Sequence, residues 1–166
     1  MAINVGDIAP DFEGTTDSGE KIKFSELAGN GNVVLYFYPK DETPGCTAEA
    51  CAFRDEWDDF EKMNAKVIGI SSDSPESHRK FKEHRKLPFT LISDPGQKIR
   101  EMYGAKGRFI PPRISFVIVD GKIVNIYNSQ MNATNHVKID LKIYSEVMIQ
   151  GDPFLGQFVF HLRPYL

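Results

Sequence analysis

The stretch Asn32-Val33-Val34-Leu35-Tyr36-Phe37-Tyr38 decides the fold. After Asn32 it is apolar, β-branched or aromatic without interruption. That pattern belongs to a strand buried on both faces, because a half-exposed strand alternates apolar with polar residues. Pro39 stops the strand, and Lys40 to Gly45 is rich in turn-forming residues. From Cys46 to about Asn64, the residues Ala50, Phe53, Trp57 and Phe60 recur at helical spacing, so a helix with one apolar face follows the loop. This aromatic set reads as core packing rather than as a cofactor pocket.

The same alternation of strand and helix continues outward. Lys66 to Ser71 is a second buried strand. Ser74-Pro75-Glu76 opens a helix to about Lys86, with Ser74 as N-cap and Pro75 at the first position. Pro88 ends it, since the residue before a proline, here Leu87, is pushed out of the helical region. Phe89 to Ser93 reads as a third strand, and Asp94-Pro95-Gly96 starts a short helix ending near Gly104. Arg113 to Val119 and Lys122 to Tyr127 form a hairpin about Asp120-Gly121. A last helix spans Asn132 to about Ile149, capped by Asn132 or Thr134. On the N-terminal side, Lys21 to Phe24 alternates as a short strand does. These elements predict an α/β three-layer sandwich, a mixed central sheet flanked by helices, with function at the carboxyl ends of the central strands. Gly151-Asp152-Pro153 breaks the last helix, dividing the chain into a domain over 1–150 and an apolar C-terminal tail over 151–166. The tail packs either over its own domain or over a partner subunit.

A chain of 166 residues, 41% hydrophobic and 26% charged, suits one globular domain. A formal net charge of −3 gives no general reason to expect nucleic-acid or acidic-membrane binding. The basic triplets His78-Arg79-Lys80 and His84-Arg85-Lys86 sit among Phe81 and Glu83 and read as a solvated helix face, His78 included. Met1 to Asp7 lacks a basic region followed by an apolar run, and no apolar stretch nears the ~18 residues of a membrane span. The expected location is the cytoplasm, with no nucleic-acid or membrane partner. Two cysteines are too few for a disulfide scaffold, which leaves metal ligation, catalysis or inert packing.

Cys46 falls in the first turn of the helix that follows the loop. The first N–H groups of a helix lack internal acceptors and its dipole adds roughly half a positive charge there, so the nucleophilic thiolate is favoured. Pro44 fixes the turn, and Gly45 lets the backbone approach whatever binds beside the sulfur. Glu42 opposes the thiolate unless it points to solvent. Cys51 lies five residues on, about 7.5 Å of rise and about 140° of rotation along an intact helix. That is beyond the ~7 Å Cα limit for a disulfide. A Cys46–Cys51 bond therefore requires the first turns to unwind, and Cys51 as an ordinary core residue stays open. Zinc is disfavoured, because the cysteines lack a close pairing and His78, His84, His136 and His161 show no partnered spacing. A C-x-x-C oxidoreductase is disfavoured by the four intervening residues.

These residues resemble a known family. Pro39-x-x-x-Thr43-x-x-Cys46 matches the P-x-x-x-T-x-x-C signature of the peroxiredoxins. The run Phe37-Tyr38-Pro39-Lys40-Asp41-x-Thr43-Pro44-Gly45-Cys46-Thr47-x-Glu49-x-Cys51 is similar to the peroxiredoxin Q, or bacterioferritin-comigratory protein, subfamily. Similarity extends to Gly69-Ile70-Ser71-x-Asp73-Ser74-x-x-Ser77-His78, to Leu91-x-Ser93-Asp94 and to the Arg113 strand with its Asp120-Gly121 turn, from about Val5 to His136. The resemblance implies a thioredoxin-like fold and a thiol-dependent peroxidase for hydrogen peroxide and organic hydroperoxides, with no metal or organic cofactor. A thioredoxin-like dithiol protein is the expected reductant, and the chain is expected to act as a monomer or homodimer.

The resemblance makes Cys46 the peroxidatic cysteine and Cys51 the resolving one, joined in an intramolecular disulfide. It adds Pro39 as a shield for the sulfur, Thr43 as a hydroxyl for the peroxide oxygens, and Arg113 as a permanent cation with several donors. Gly45, Thr43, Arg113 and Glu49 are the expected substrate-binding set, the N–H groups of Gly45 and Cys46 holding the departing oxygen. Plainer roles stay open: Thr43 as a turn residue, Pro39 as a strand terminator, Glu49 as helix-favourable charge, and Arg113 as a surface charge replaced by Arg108 or Arg54. A redox-sensing binding module using the same cysteine pair is the rival function, and a structural domain with incidental cysteines is a third.

Overall fold

In the computed structural model, which describes residues 3–29 and 31–150, the 32–38 stretch forms the strand about which the sheet is organised. In chain order the elements are β1 (Glu13–Thr16), β2 (Lys21–Lys23), α1 (Phe24–Ala28), β3 (Val33–Phe37), α2 (Pro44–Asp55), α3 (Trp57–Lys62) and β4 (Lys66–Ser71). They continue with α4 (Pro75–Arg85), β5 (Thr90–Ser93), α5 (Lys98–Met102), β6 (Ile114–Val119), β7 (Lys122–Asn128) and α6 (Ala133–Gln150). The apolar tail expected over 151–166 lies outside the described residues.

One mixed sheet runs in the order β2-β1-β5-β4-β3-β6-β7. β3, β4 and β5 are parallel, and β6, β7, β1 and β2 add to the two sides as antiparallel strands. Side chains of β3 alternate between two separate cores. Val34, Tyr36 and Tyr38 pack with Phe53 and Ala50 of α2, Phe60 of α3, Phe81 of α4 and Tyr144 of α6. Val33, Leu35 and Phe37 pack on the other face with Phe24 and Ala28 of α1 and Ile99 of α5. Burial on both faces explains the unbroken apolar run, and the three-layer sandwich stands as expected.

The differences from the sequence reading have local causes. The helix expected from Cys46 to Asn64 begins earlier, at Pro44, whose missing N–H is harmless in a first turn. It then divides at Glu56, where φ and ψ are −97° and 12°. Asp58 and Asp59 stand in the first turn of α3, where carboxylates favour a helix start. β1 is not expected from sequence, because Glu13-Gly14-Thr15-Thr16 is polar and carries a glycine. Gly14 is required by its neighbour: a Cβ there would lie 2.6 Å from Ile92 Cγ2 on β5. Phe24, expected to end a strand, instead begins α1.

Gly69 on β4 has the same kind of constraint at the centre of the sheet. A Cβ at Gly69 would lie 2.8 Å from Tyr36 Cζ and 2.9 Å from Leu91 Cδ2, both fully buried. Gly69→Ala is expected to destabilise the protein by about 1–3 kcal/mol through overpacking, read as a lower urea midpoint with an unchanged slope.

Candidate active site

The turn from β3 into α2 sets the site. Thr43 occupies the N-cap by backbone geometry, and the first helical bond is Thr47 N–H to Thr43 C=O at 2.8 Å. The Thr43 hydroxyl does not cap the helix; it donates to the Lys40 carbonyl at 2.8 Å and closes the turn. Pro39 is half-buried beside it. Cys46, two residues inside the helix start, is only 1% exposed. Cys51 is half-buried on the same helix, and both are free thiols.

Among the rival arginines, Arg113 is the one at the sulfur. It stands just before β6, and β6 pairs with β3 so that Ile114 lies opposite Phe37. Its Nη2 donates to Cys46 Sγ at 3.3 Å and its Nη1 to Glu49 Oε1 at 2.7 Å. Arg54 turns away to the Arg85 carbonyl and Asp55, and Arg108 lies over the Phe109 ring. A Cβ on Gly45 would sit 3.1 Å from Arg113 Nη2, so the small residue leaves room for the guanidinium. Glu49 is completely buried and orients the arginine, which is the alternative to mere helix-favourable charge.

Electrostatics around the pair follow from burial. Burial pushes the Glu49 carboxyl up to about 8, with Arg113 drawing it back. Burial works against the Arg113 cation too, but Glu49 and Cys46 outweigh it and hold the guanidinium above its ordinary value. Behind Glu49, His136 Nδ1 lies 3.8 Å from Oε2 and 3.0 Å from Ser115 Oγ, which donates to Asp140 Oδ1 at 3.1 Å. Burial pushes His136 down to about 4 and the Asp140 carboxyl well up, so both favour their neutral forms. The nearby wall thus adds little charge of its own, and the field at Cys46 is dominated by Arg113, which Glu49 offsets only as it ionises near pH 8.

Two features escape the sequence reading. Arg100, completely buried, donates to the carbonyls of Tyr38 (2.5 Å), Ala105 (3.1 Å) and Pro112 (3.0 Å). It ties the end of β3 to the residue before Arg113, and nothing in its sequence neighbourhood signals this. His78, expected on a solvated face, is completely buried; its ring meets Asp41 Oδ2 at 2.8 Å. The available signal is its i,i+3 spacing to Phe81, the other buried residue of α4. Asp41, Asp73 and His78 bring possible ligand atoms within 4.8 Å of one another. Their oxygens already accept from Tyr38, Ser77, Ser71 and the Asp41 N–H, which makes the group a hydrogen-bond network.

A buried cysteine at a helix start, held by a buried arginine just before the neighbouring strand, defines a cysteine-centred candidate site on a mixed α/β sheet. The chain belongs to the AhpC/TSA family, whose model matches residues 5–126. It is similar to the chloroplastic peroxiredoxin Q of Arabidopsis thaliana, 44% identical over 144 residues that make up 84% of this chain and 66% of that one. The corresponding protein of Sedum lineare is 41% identical over 145 residues, 85% of this chain and 77% of that one. Against the Oryza sativa peroxiredoxin Q, 43% identical, the chain spans 66% of the relative's length. Among solved structures, the peroxidoxin BcpB of Mycobacterium tuberculosis superposes with a TM-score of 0.81 at 34% identity, covering 86% of this chain and 97% of that one. The architecture is thus the thioredoxin-like peroxiredoxin fold, as the resemblance implied.

Folded Glu49 keeps its proton to higher pH than the unfolded chain, whose ordinary value is 4.5. Its stabilising contribution is therefore complete below that value and is lost as pH rises through about 8. Glu49→Gln removes the titration. The stability advantage of wild type over this variant, from urea midpoints, is expected to shrink between about pH 5 and about pH 9.

Proposed function

We propose that the protein is a thiol peroxidase that reduces hydrogen peroxide and organic hydroperoxides through Cys46. The observation that carries this reading is the 3.3 Å contact between Arg113 Nη2 and the buried Cys46 Sγ at the start of α2. A fixed cation and free helical N–H groups both stabilise the thiolate, and both also stabilise negative charge on an oxygen beside it. Cys46 Sγ attacks the terminal peroxide oxygen; an S–O bond forms, the O–O bond breaks, and the alkoxide or hydroxide takes up a proton. The product is Cys46 sulfenic acid. Gly45 and Cys46 N–H groups with Arg113 bind the departing oxygen, the Thr43 hydroxyl contacts the peroxide, and Pro39 limits water at the sulfur. Glu49 holds Arg113 in register.

Cys51 is the resolving cysteine. Its thiol condenses with the sulfenic acid, releasing water and forming the Cys46–Cys51 disulfide after the front of α2 unwinds, since the intact helix keeps them about 7.5 Å apart along the axis. A thioredoxin-like dithiol protein returns both thiols by exchange and is itself oxidised to its disulfide. This requires a reducing compartment, and the cytoplasm is the one proposed. Among the described residues, no helix is long and apolar enough to cross a membrane.

Mass spectrometry after one equivalent of peroxide tests the reading. Wild type is expected to lose two hydrogens and link Cys46 to Cys51. Cys51→Ser stops at Cys46 sulfenic acid and, with excess peroxide, proceeds to sulfinic acid. Cys46→Ser consumes no peroxide; full activity in that variant would refute the assignment. Arg113→Met is expected to slow the attack by at least about tenfold, read as the rate of peroxide consumption in a single turnover.

A further inference from the structure

Two adjacent acids in the loop before Cys46 grip the same helix at two levels. Asp41 is buried: Oδ1 accepts from Tyr38 Oη at 2.5 Å, and Oδ2 accepts from Ser77 Oγ at 2.8 Å and meets His78 Nδ1 at 2.8 Å. The other ring nitrogen of His78 donates to the Ile92 carbonyl of β5 at 3.1 Å. The Asp41 N–H donates to Asp73 Oδ2 at 2.9 Å, which also accepts from Ser71 Oγ at 2.6 Å. Glu42 has φ 61° and is exposed. It accepts from Arg85 Nη2 at 2.9 Å and Nε at 3.2 Å, and meets His84 Nδ1 at 2.8 Å. Ser77 and His78 are seven residues from His84 and Arg85, about two helical turns, so both grips fall on one side of α4.

We propose that Asp41 and Glu42, held by Ser77, His78, His84 and Arg85 of α4, are positioning residues that fix the N-terminal limit of the unwinding by which Cys46 reaches Cys51. The inference rests on the disulfide-forming cycle proposed above. Upstream of Glu42 the chain is held to α4 and to Asp73 after β4; downstream it enters α2 at once. Cys46 is four residues past the held point, so in the unwound form it stays within about 14 Å of Glu42. Releasing the grips adds freed residues to the unwound form, each contributing conformational entropy, and therefore raises its population.

Hydrogen exchange of the fully reduced protein reads this without peroxide. Glu42→Gln, an exposed change, is expected to speed amide exchange over residues 43–51 by about threefold. His78→Ala is expected to speed it by at least about tenfold. β3 and β4 amides keep wild-type rates in Glu42→Gln. The exposed Glu76–Lys80 pair lies on the same helix and lines a cleft with Glu42 but forms no ion pair with it, and Glu76→Gln is expected to change nothing. With excess peroxide, the two grip variants convert a smaller fraction of Cys46 to sulfinic acid than wild type, because Cys51 meets the sulfenic acid sooner. Unchanged exchange over 43–51 in Glu42→Gln overturns the proposal, whatever His78→Ala does to the core. Faster exchange with an unchanged sulfinic fraction overturns the link to Cys51. Wild type that forms sulfenic acid but no Cys46–Cys51 bond refutes the cycle itself while leaving the exchange result readable.

Discussion

A guanidinium shut away from water must be surrounded by groups that accept its protons, and the 4% exposure of Arg113 imposes that condition on the whole site. Two of its nitrogens are answered by Glu49 and by the Cys46 sulfur. Both acceptors belong to α2, which must therefore lie at one fixed height above β6. That height is set in turn by Phe53 and Ala50, which pack α2 onto the Tyr36 face of β3. A buried ion pair of this kind adds little net stability against an apolar equivalent. Its value is the placing of a cation against one sulfur.

The cost of desolvating charge also favours neutral groups behind Glu49. Ser115, His136 and Asp140 are all buried, and an additional charge among them would have to be stripped of water. With His136 depressed and Asp140 raised by burial, the wall passes hydrogen bonds between β6 and α6 and leaves Arg113 to face Cys46 and Glu49. Glu49, titrating near neutrality, is the adjustable member of the group.

What the sequence reveals and what it hides divide along physical lines. β3, β4 and β6 are legible because burial on both faces demands a run of Val, Ile, Leu and aromatics that few other local structures tolerate, and the β6–β7 hairpin because Asp120-Gly121 marks its turn. Cys46 and its loop are legible because a helix start has a local signature. Glu49 and Arg113 are legible as residues but not as a pair, since 64 positions separate them and only the β3–β6 pairing joins them. Arg100 is invisible for a deeper reason: its partners are backbone carbonyls, which every sequence possesses. His78 is hidden within a basic cluster that resembles one solvated surface, although α4 turns His78 and Phe81 inward and leaves Arg79 and Lys80 outside. β1 follows from tertiary pairing with β5, which overrides a weak local preference.

The division of the expected long helix at Glu56 has a mechanical consequence. α2 has 12 residues, a length at which a helix in water is barely self-supporting, and it depends on its contacts with the sheet and α6. α3 is a separate segment whose Phe60 is anchored in the core and whose first residue, Trp57, meets Phe89. A helix running unbroken to Lys62 would share its cooperativity along its length, so loosening its front would draw on the packing at its rear. The break at Glu56 confines the proposed unwinding to α2, so that α3 need not loosen when the front of α2 opens.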